Sequence, residues 1–427
     1  MNASIIFILL LVLMLTGMPI SISLGLTVLT FLFGFTHVPL ESVALKLFTG
    51  IEKFEIMAIP FFILAGNFLT HGGVARRMIA FATSIVGHWH GGLGLAGVLG
   101  CALFAAVSGS SPATVVAIGS ILLPAMTRAG FPKNFGAGVI TTSGALGILI
   151  PPSIVMVMYS VATNTSVGAL FMAGVVPGLA LAATLGGVTW YRARKFDYPR
   201  LPRATWAERF KAFKASAWGL LLIVIVMGGI YTGIFTPTEA AAMSAVYAFF
   251  VAVFVYKDMG LKDVPKVLLN SANMSAMLLY IITNAVLFSF IMTNENIPQA
   301  LADWMLGHGL GMVAFLLAVN VILLLAGNFM EPSSIVLIFA PILFPVATKL
   351  GIDPVHFGII MVVNMEVGMC HPPVGLNLYV ASGITKMGIT ELTVAVWPWL
   401  LSMLLFLGVV TYWPSLTLWF PRMLGMV

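Results

Sequence analysis

The sequence predicts an all-α polytopic membrane protein made of two inverted-topology repeats, and three observations carry that prediction. Of 427 residues, 60% are apolar and only 8% are charged, with a mean hydropathy of +1.08. A water-soluble chain of this length needs far more charge to cover its surface. Apolar runs of membrane-spanning length recur from end to end, with no polar stretch long enough for a soluble domain. The two halves also match. A gapless shift of 221 residues lays Pro124 on Pro345, Gly130 on Gly351, Gly147 on Gly368, Pro151-Pro152 on Pro372-Pro373, and Pro177 on Pro398. Residues 108–177 therefore correspond to 329–398.

Taken in order, apolar segments fall near 4–16, 19–35, 54–70, 94–107, 113–126, 135–147, 153–163 and 168–191. The first lacks a basic n-region and runs past Gly17-Met18-Pro19 without a cleavage site, so it reads as a retained helix. A second series lies near 217–235, 238–256, 270–292, 311–326, 335–348, 356–369, 374–384 and 394–420. Several are too short to cross a core of ~30 Å at ~1.5 Å per residue. These pair across polar breaks at Ser108 to Pro112, Gly147 to Ser153, Gly327 to Ser334 and Gly368 to Val374. Two pairs read as re-entrant hairpins and two as helices unwound in mid-membrane. Irregular backbone at that depth survives only where it is buried or lines a cavity.

Residues 1–192 read as the first repeat, 193–216 as a cytoplasmic linker and 217–427 as the second repeat. Within the linker, Trp206, Phe210 and Phe213 share one helical face, with Arg203, Arg209, Lys211 and Lys214 around them. That is the pattern of an amphipathic helix in the membrane interface, with a solvated basic linker as the alternative. About five crossings plus one hairpin per half, with the N-terminus periplasmic, put sixteen of the twenty Lys and Arg residues in the cytoplasm. Only Lys46, Lys53, Lys349 and Arg422 lie outside. An odd number of crossings gives the two copies opposite orientations, as in secondary transporters whose site lies between discontinuous helices. A duplication without any transport role is the competing reading.

Each break offers free carbonyls and hydroxyls suited to a small hard cation, and half-helix N-termini suited to an anion. In the first half, Ser108, Ser110 and Ser111 face the carbonyls of Gly147 and Ile150, beside Pro151-Pro152. Such an oxygen-only set fits Na+ better than a transition metal. The second half sets Gly327, Asn328, Glu331, Ser333 and Ser334 opposite Gly368, His371 and Val374. For any one Ser or Gly, close helix packing is an equal explanation; the duplicated set favours binding. Glu331, Asn364, Glu366 and His371 are polar groups in apolar surroundings. Either carboxylate is open to proton uptake, to a place beside a cation, or to a structural role. His371 reads as a donor to a neighbouring carbonyl. Cys101 and Cys370 read as small core residues, and His88-Trp89-His90 as interfacial.

No Lys or Arg lies in a broken segment, so an anionic substrate falls to Ser110, Asn328, Ser333, Ser334, Asn377, backbone N–H groups and helix N-termini. Binding of that kind is modest and leaves high-affinity capture to another protein. No GxxxxGK[ST], HExxH or GxSxG motif occurs, which argues against ATP hydrolysis and intramembrane hydrolysis. Neither an enzyme nor an organic cofactor is expected.

Several runs together resemble one family. They are Ser108-Gly-Ser-Ser111 with Ala117-Ile-Gly-Ser120, Gly147-Ile-Leu-Ile-Pro-Pro-Ser153, Gly351-Ile-Asp-Pro-Val-His-Phe-Gly358 and Pro372-Pro-Val-Gly-Leu-Asn377. The chain is similar over nearly its whole length to the large membrane subunit of tripartite ATP-independent periplasmic (TRAP) transporters. The resemblance implies an elevator-type mechanism driven by a Na+ gradient in the bacterial inner membrane. It implies two partners, a four-helix small membrane subunit and a periplasmic substrate-binding protein that delivers an organic acid. Carried over, the family's first Na+ site falls on Ser108, Ser111, Gly147, Ile150 and Pro152, and its second on Gly327, Gly368, His371 and Val374. His371 stands where many relatives carry Thr. The run Glu366-Val-Gly-Met-Cys-His-Pro-Pro373 looks closest to the branch that carries succinate, malate and fumarate. Sialate or another organic acid, or a stand-alone Na+- or H+-coupled carrier, are the alternatives.

Overall fold

Lipid offers no hydrogen bonds to a backbone, so an apolar segment at membrane depth closes its own N–H···O=C bonds as a helix. The computed structural model describes residues 2–36, 38–373 and 375–427, and all regular structure among them is helical. The chain opens with α1 (Asn2–Leu15), α2 (Ile20–Phe35), α3 (Leu40–Thr49), α4 (Ala58–His71) and α5 (Val74–Val86). A hairpin of α6 (Gly92–Ser108) and α7 (Ser111–Arg128) follows, then α8 (Lys133–Ser143), α9 (Ile154–Thr163) and α10 (Val167–Lys195). Next come α11 (Trp206–Tyr231), α12 (Pro237–Phe250), α13 (Val264–Asn294) and α14 (Ile297–Gly307). A second hairpin, α15 (Met312–Gly327) and α16 (Pro332–Lys349), precedes α17 (Pro354–Cys370), α18 (Leu376–Thr385), α19 (Ile389–Tyr412) and α20 (Ser415–Met423). Among the described residues, seven helical segments are long and apolar enough to cross a membrane.

All four breaks fall where the Gly, Pro and Ser clusters put them. α6 ends because Gly109 turns to φ +60°, which a side chain resists, while its N–H caps Ala105 O. Ser153 restarts the chain as N-cap of α9, accepting from the Met156 N–H and donating to Ile148 O at 2.6 Å. The Pro151-Pro152 and Pro372-Pro373 peptide bonds are both cis. α7 and α16 begin at 111 and 332, and α8 and α17 at 133 and 354, the offset that relates the two sequences.

Three helices and two boundaries depart from the sequence reading. α3, α5 and α14 are short and carry charge among their apolar residues, so averaged hydropathy passes over them. The interfacial helix expected within 193–216 is not separate. A Thr205–Glu208 capping box starts α11, and no Gly or Pro interrupts it before Gly219, so the aromatic residues form the first turns of a longer helix. Trp206 and Phe210 nevertheless stay 81% and 68% exposed. The segment read as 394–420 divides at Pro414 into α19 and α20.

Small residues let the helices close on large ones. A Cβ on Gly138 of α8 would lie 2.6 Å from the Trp399 ring of α19, and the buried Trp399 donates Nε1–H to Thr189 of α10 at 2.9 Å. Beyond the membrane-spanning segments, Arg76 and Arg77 of α5 both pair with Asp258, Arg76 at 3.0 Å. Arg77 also lies 3.8 Å over the Tyr256 ring. Burial pushes the Asp258 carboxyl up, and the two guanidinium groups outweigh it, holding it below the usual range. A depressed carboxyl stabilises the fold above the unfolded value of ~4 and loses that contribution as pH falls through the folded value. Arg76 is largely solvated, so the pair's worth is set mainly by Arg77. Asp258→Asn is expected to cost about 1 kcal/mol in melting of the purified protein at neutral pH. The loss should shrink on acidification below ~4.

Candidate functional site

The tip of the first hairpin is a knot of hydroxyls. Ser108 Oγ lies 2.9 Å from Thr114 Oγ1, which donates to Ser110 O at 2.8 Å. The unwound stretch after α8 comes against this tip backbone to backbone. A Cβ on Gly147 would fall 2.6 Å from Ser110 O and 2.8 Å from Ser111 Cα. One on Gly109 would fall 2.8 Å from Pro152 O. Glycine at both positions therefore brings Ser108, Ser111, Gly147 and Pro152 into one group. Ile150 directs its side chain toward Gly178 of α10.

The second half repeats the approach more simply. Gly327 and Gly368 face one another so closely that a Cβ on either would lie 3.0 Å from the other's Cα. His371 Nδ1 is 2.8 Å from Asn328 Oδ1, so the imidazole donates to an amide side chain. Val374 lies outside the described residues.

One buried amide ties the second unwound region to the first hairpin tip. Asn377, at the start of α18, is fully buried and reaches the first tip, donating Nδ2–H to Ser111 Oγ at 2.8 Å and to Thr141 O at 3.3 Å. Beside it, Cys370 Sγ donates to the same Thr141 O at 3.4 Å.

Between the tips lies a cavity of about 430 Å³. Ser110, Ser111 and Pro112 line it from the first hairpin, and Glu331, Pro332 and Ser333 from the second. Asn67 and Thr70 of α4 and Met274, Met277 and Leu278 of α13 form another wall. Of the residues read as substrate contacts, Ser110 and Ser333 reach this cavity. Asn328 and Asn377 are buried behind it in the bonds just described, and Ser334 is turned to Glu331 Oε1 at 3.2 Å. Asn67 and Thr70 escaped the sequence reading. An amide alone in the apolar run 54–70 was the available signal. Asn67 donates to Ser271 Oγ of α13 at 2.8 Å, tying α4 to α13.

The remaining polar candidates sit deeper. Asn364 donates to Asn320 O and Oδ1, both at 3.0 Å, and Asn320 donates to Thr411 Oγ1 at 2.9 Å. Glu366 is fully buried, and its carboxylate meets no hydrogen-bond donor among the described residues.

Chemically, this arrangement offers two things. Hydroxyls and carbonyls crowd at the first glycine approach, an oxygen-rich environment of the kind a hard cation takes, and the second brings the Gly327 and Gly368 backbones together beside the His371–Asn328 pair. The N-termini of α7 and α16 open on the cavity between them and favour negative charge there.

A family model for the tripartite ATP-independent periplasmic transporter, DctM component, matches residues 7–416. The C4-dicarboxylate TRAP transporter large permease protein DctM of Rhodobacter capsulatus is 76% identical over 440 residues, covering 100% of each chain. The protein of the same name from Pseudomonas aeruginosa is 55% identical over 404 residues, 95% of each chain. Among solved structures, the Alcanivorax borkumensis YdaH transporter aligns with a TM-score of 0.62. It covers 88% of this chain and 89% of that one at 16% identity, a likeness of fold alone.

Proposed function

The chain belongs to the DctM component family of tripartite ATP-independent periplasmic transporters, and on that premise we propose that it is the translocating subunit of a Na+-coupled C4-dicarboxylate importer. Succinate, malate and fumarate are its substrates. The observation that carries this reading is the convergence of both hairpin tips, backed by both unwound stretches, on one cavity of about 430 Å³. The substrate class rests on the names of the two relatives at 76% and 55% identity.

Na+ binds first among Ser108, Ser111, Gly147, Ile150 and Pro152, and second among Gly327, Gly368, His371 and Val374. Oxygen-rich backbone packed against glycine supports both sites. With no Lys or Arg on its walls among the described residues, the cavity holds a carboxylate through Ser110, Ser333 and two helix N-termini, strengthened by the bound cations. Such a site binds its anion modestly, which suits a subunit fed by a periplasmic binding protein and braced by a small four-helix membrane subunit.

The shared offset of helix starts supports an inverted repeat of 1–192 and 217–427, joined by 193–216. Two hairpins and two unwound helices would travel as one body against a scaffold containing α4 and α13, in a bacterial inner membrane with the N-terminus periplasmic. The wall that α4 and α13 give the cavity supports that division.

The test is uptake of radiolabelled succinate into liposomes holding this chain and its small subunit under an inward Na+ gradient. Accumulation is expected only when the succinate-loaded binding protein is supplied outside. Equal accumulation from free succinate would sink the tripartite reading, and no uptake of any C4 acid would sink the substrate assignment.

A further inference from the structure

Among the described residues, the one ionisable side chain lining the cavity between the hairpin tips is an acid. Glu331 stands where the first tip carries Ser110, and no Lys, Arg or His lines the same walls among the described residues. Its Oε1 accepts from the buried Ser334 Oγ at 3.2 Å, and the Ser334 N–H and Ser333 hydroxyl also serve the carboxylate, which fixes it at the start of α16 with neutral donors alone. The elements packed against α16 supply no cationic side chain to balance it, and the two helix N-termini offer only partial charge. Lys266 of α13, Asp303 of α14 and His356, Glu366 and Cys370 of α17 all lie off the cavity wall, as do the tyrosines of α9 and α13. His371 is turned to Asn328.

An organic dianion in this cavity would therefore face a carboxylate with no protein cation between them. At the effective dielectric of a protein site, like charges ~5 Å apart lower affinity on the order of a hundredfold. Two cations at the hairpin sites balance the substrate's two charges and leave that of Glu331 over.

We propose that Glu331 is a coupling residue, neutralised by one further monovalent cation, a proton or Na+, before the dicarboxylate enters. Each substrate then crosses with one cation more than the two hairpin sites supply. The inference rests on the Na+-coupled reading above. A proton would sit on the Glu331 carboxyl and be offered to a substrate carboxylate; Na+ would lie between the Glu331 carboxylate and the substrate.

The experiment compares wild type, Glu331→Gln and Glu331→Asp in liposomes with the small subunit and binding protein. It reads charge moved per succinate, the steepness of Na+ dependence and the pH dependence of KM. Glu331→Gln should move one charge fewer per succinate, and Glu331→Asp should keep the wild-type value. A proton at Glu331 predicts that Glu331→Gln flattens the pH dependence and keeps the Na+ steepness. Na+ there predicts that the steepness falls by one and the pH profile stays. Wild-type charge and both profiles unchanged in Glu331→Gln would overturn the proposal. Should Glu331→Gln fail to transport, succinate-induced thermal stabilisation of the purified subunit pair at low Na+ decides. A shift larger than wild type's supports the proposal, and an equal or smaller one overturns it. Failure of wild type to take up succinate with Na+ would strike the underlying reading instead.

Discussion

Gly147→Ala is expected to lower Na+-driven succinate uptake about a hundredfold in protein that still inserts in the membrane. The added Cβ would stand 2.6 Å from Ser110 O, 2.7 Å from Ser110 C and 2.8 Å from Ser111 Cα. Those are backbone atoms, so no rotamer change relieves the clash. The hairpin tip must retreat from the unwound stretch, separating the oxygens proposed to hold the first cation. Gly187→Ala in α10 is the matched control, since a Cβ there meets nothing within 4 Å and alanine favours the helix. Loss of activity in both variants, or in neither, would contradict the account of the site.

Asn377→Ala carries the second large effect, and it separates two roles for that residue. The amide is fully buried and binds Ser111 and Thr141 across the halves. Truncation strands Ser111 Oγ in an apolar interior and leaves Thr141 O with the weak Cys370 thiol donor, a penalty of about 1–3 kcal/mol. Thermal stability in detergent should fall together with uptake. Asn377→Asp should also lower stability, because it buries a carboxyl that keeps the Ser111 hydroxyl as donor and loses the N–H that serves Thr141 O. A residue that only touched substrate would behave differently, raising KM while leaving the melting temperature in place.

How far the sequence could be read follows from which forces are local. The four breaks were legible because Gly, Pro and Ser cluster there, at Ser108 to Pro112, Gly147 to Ser153, Gly327 to Ser334 and Gly368 to Pro373, whereas the single prolines Pro124, Pro177 and Pro398 stay inside helices. The offset of 221 was legible because proline and glycine keep their positions while apolar residues interchange. α3, α5 and α14 were not, since a short helix with a polar face resembles a loop once hydropathy is averaged over a span. The aromatic start of α11 looked separate because its exposed Trp206 and Phe210 differ in character from the apolar run, although nothing between them breaks the backbone. In the site, spacing identified the segments that meet and not the direction of each side chain. Ser334 and Asn377 lie beside Ser333 and the Gly368 to Val374 break in sequence, yet turn to Glu331 and Ser111. Asn67 and Thr70 reach the cavity from α4, which no local pattern connects to the hairpins.

The central claim is that oxygen clusters at the two hairpins couple cation entry to substrate movement. It is tested most directly by replacing external Na+ with choline in the reconstituted system, at fixed membrane potential and with saturating binding protein. Accumulation of succinate above its external concentration should vanish in choline and return when Na+ is restored. Undiminished accumulation in choline would contradict it.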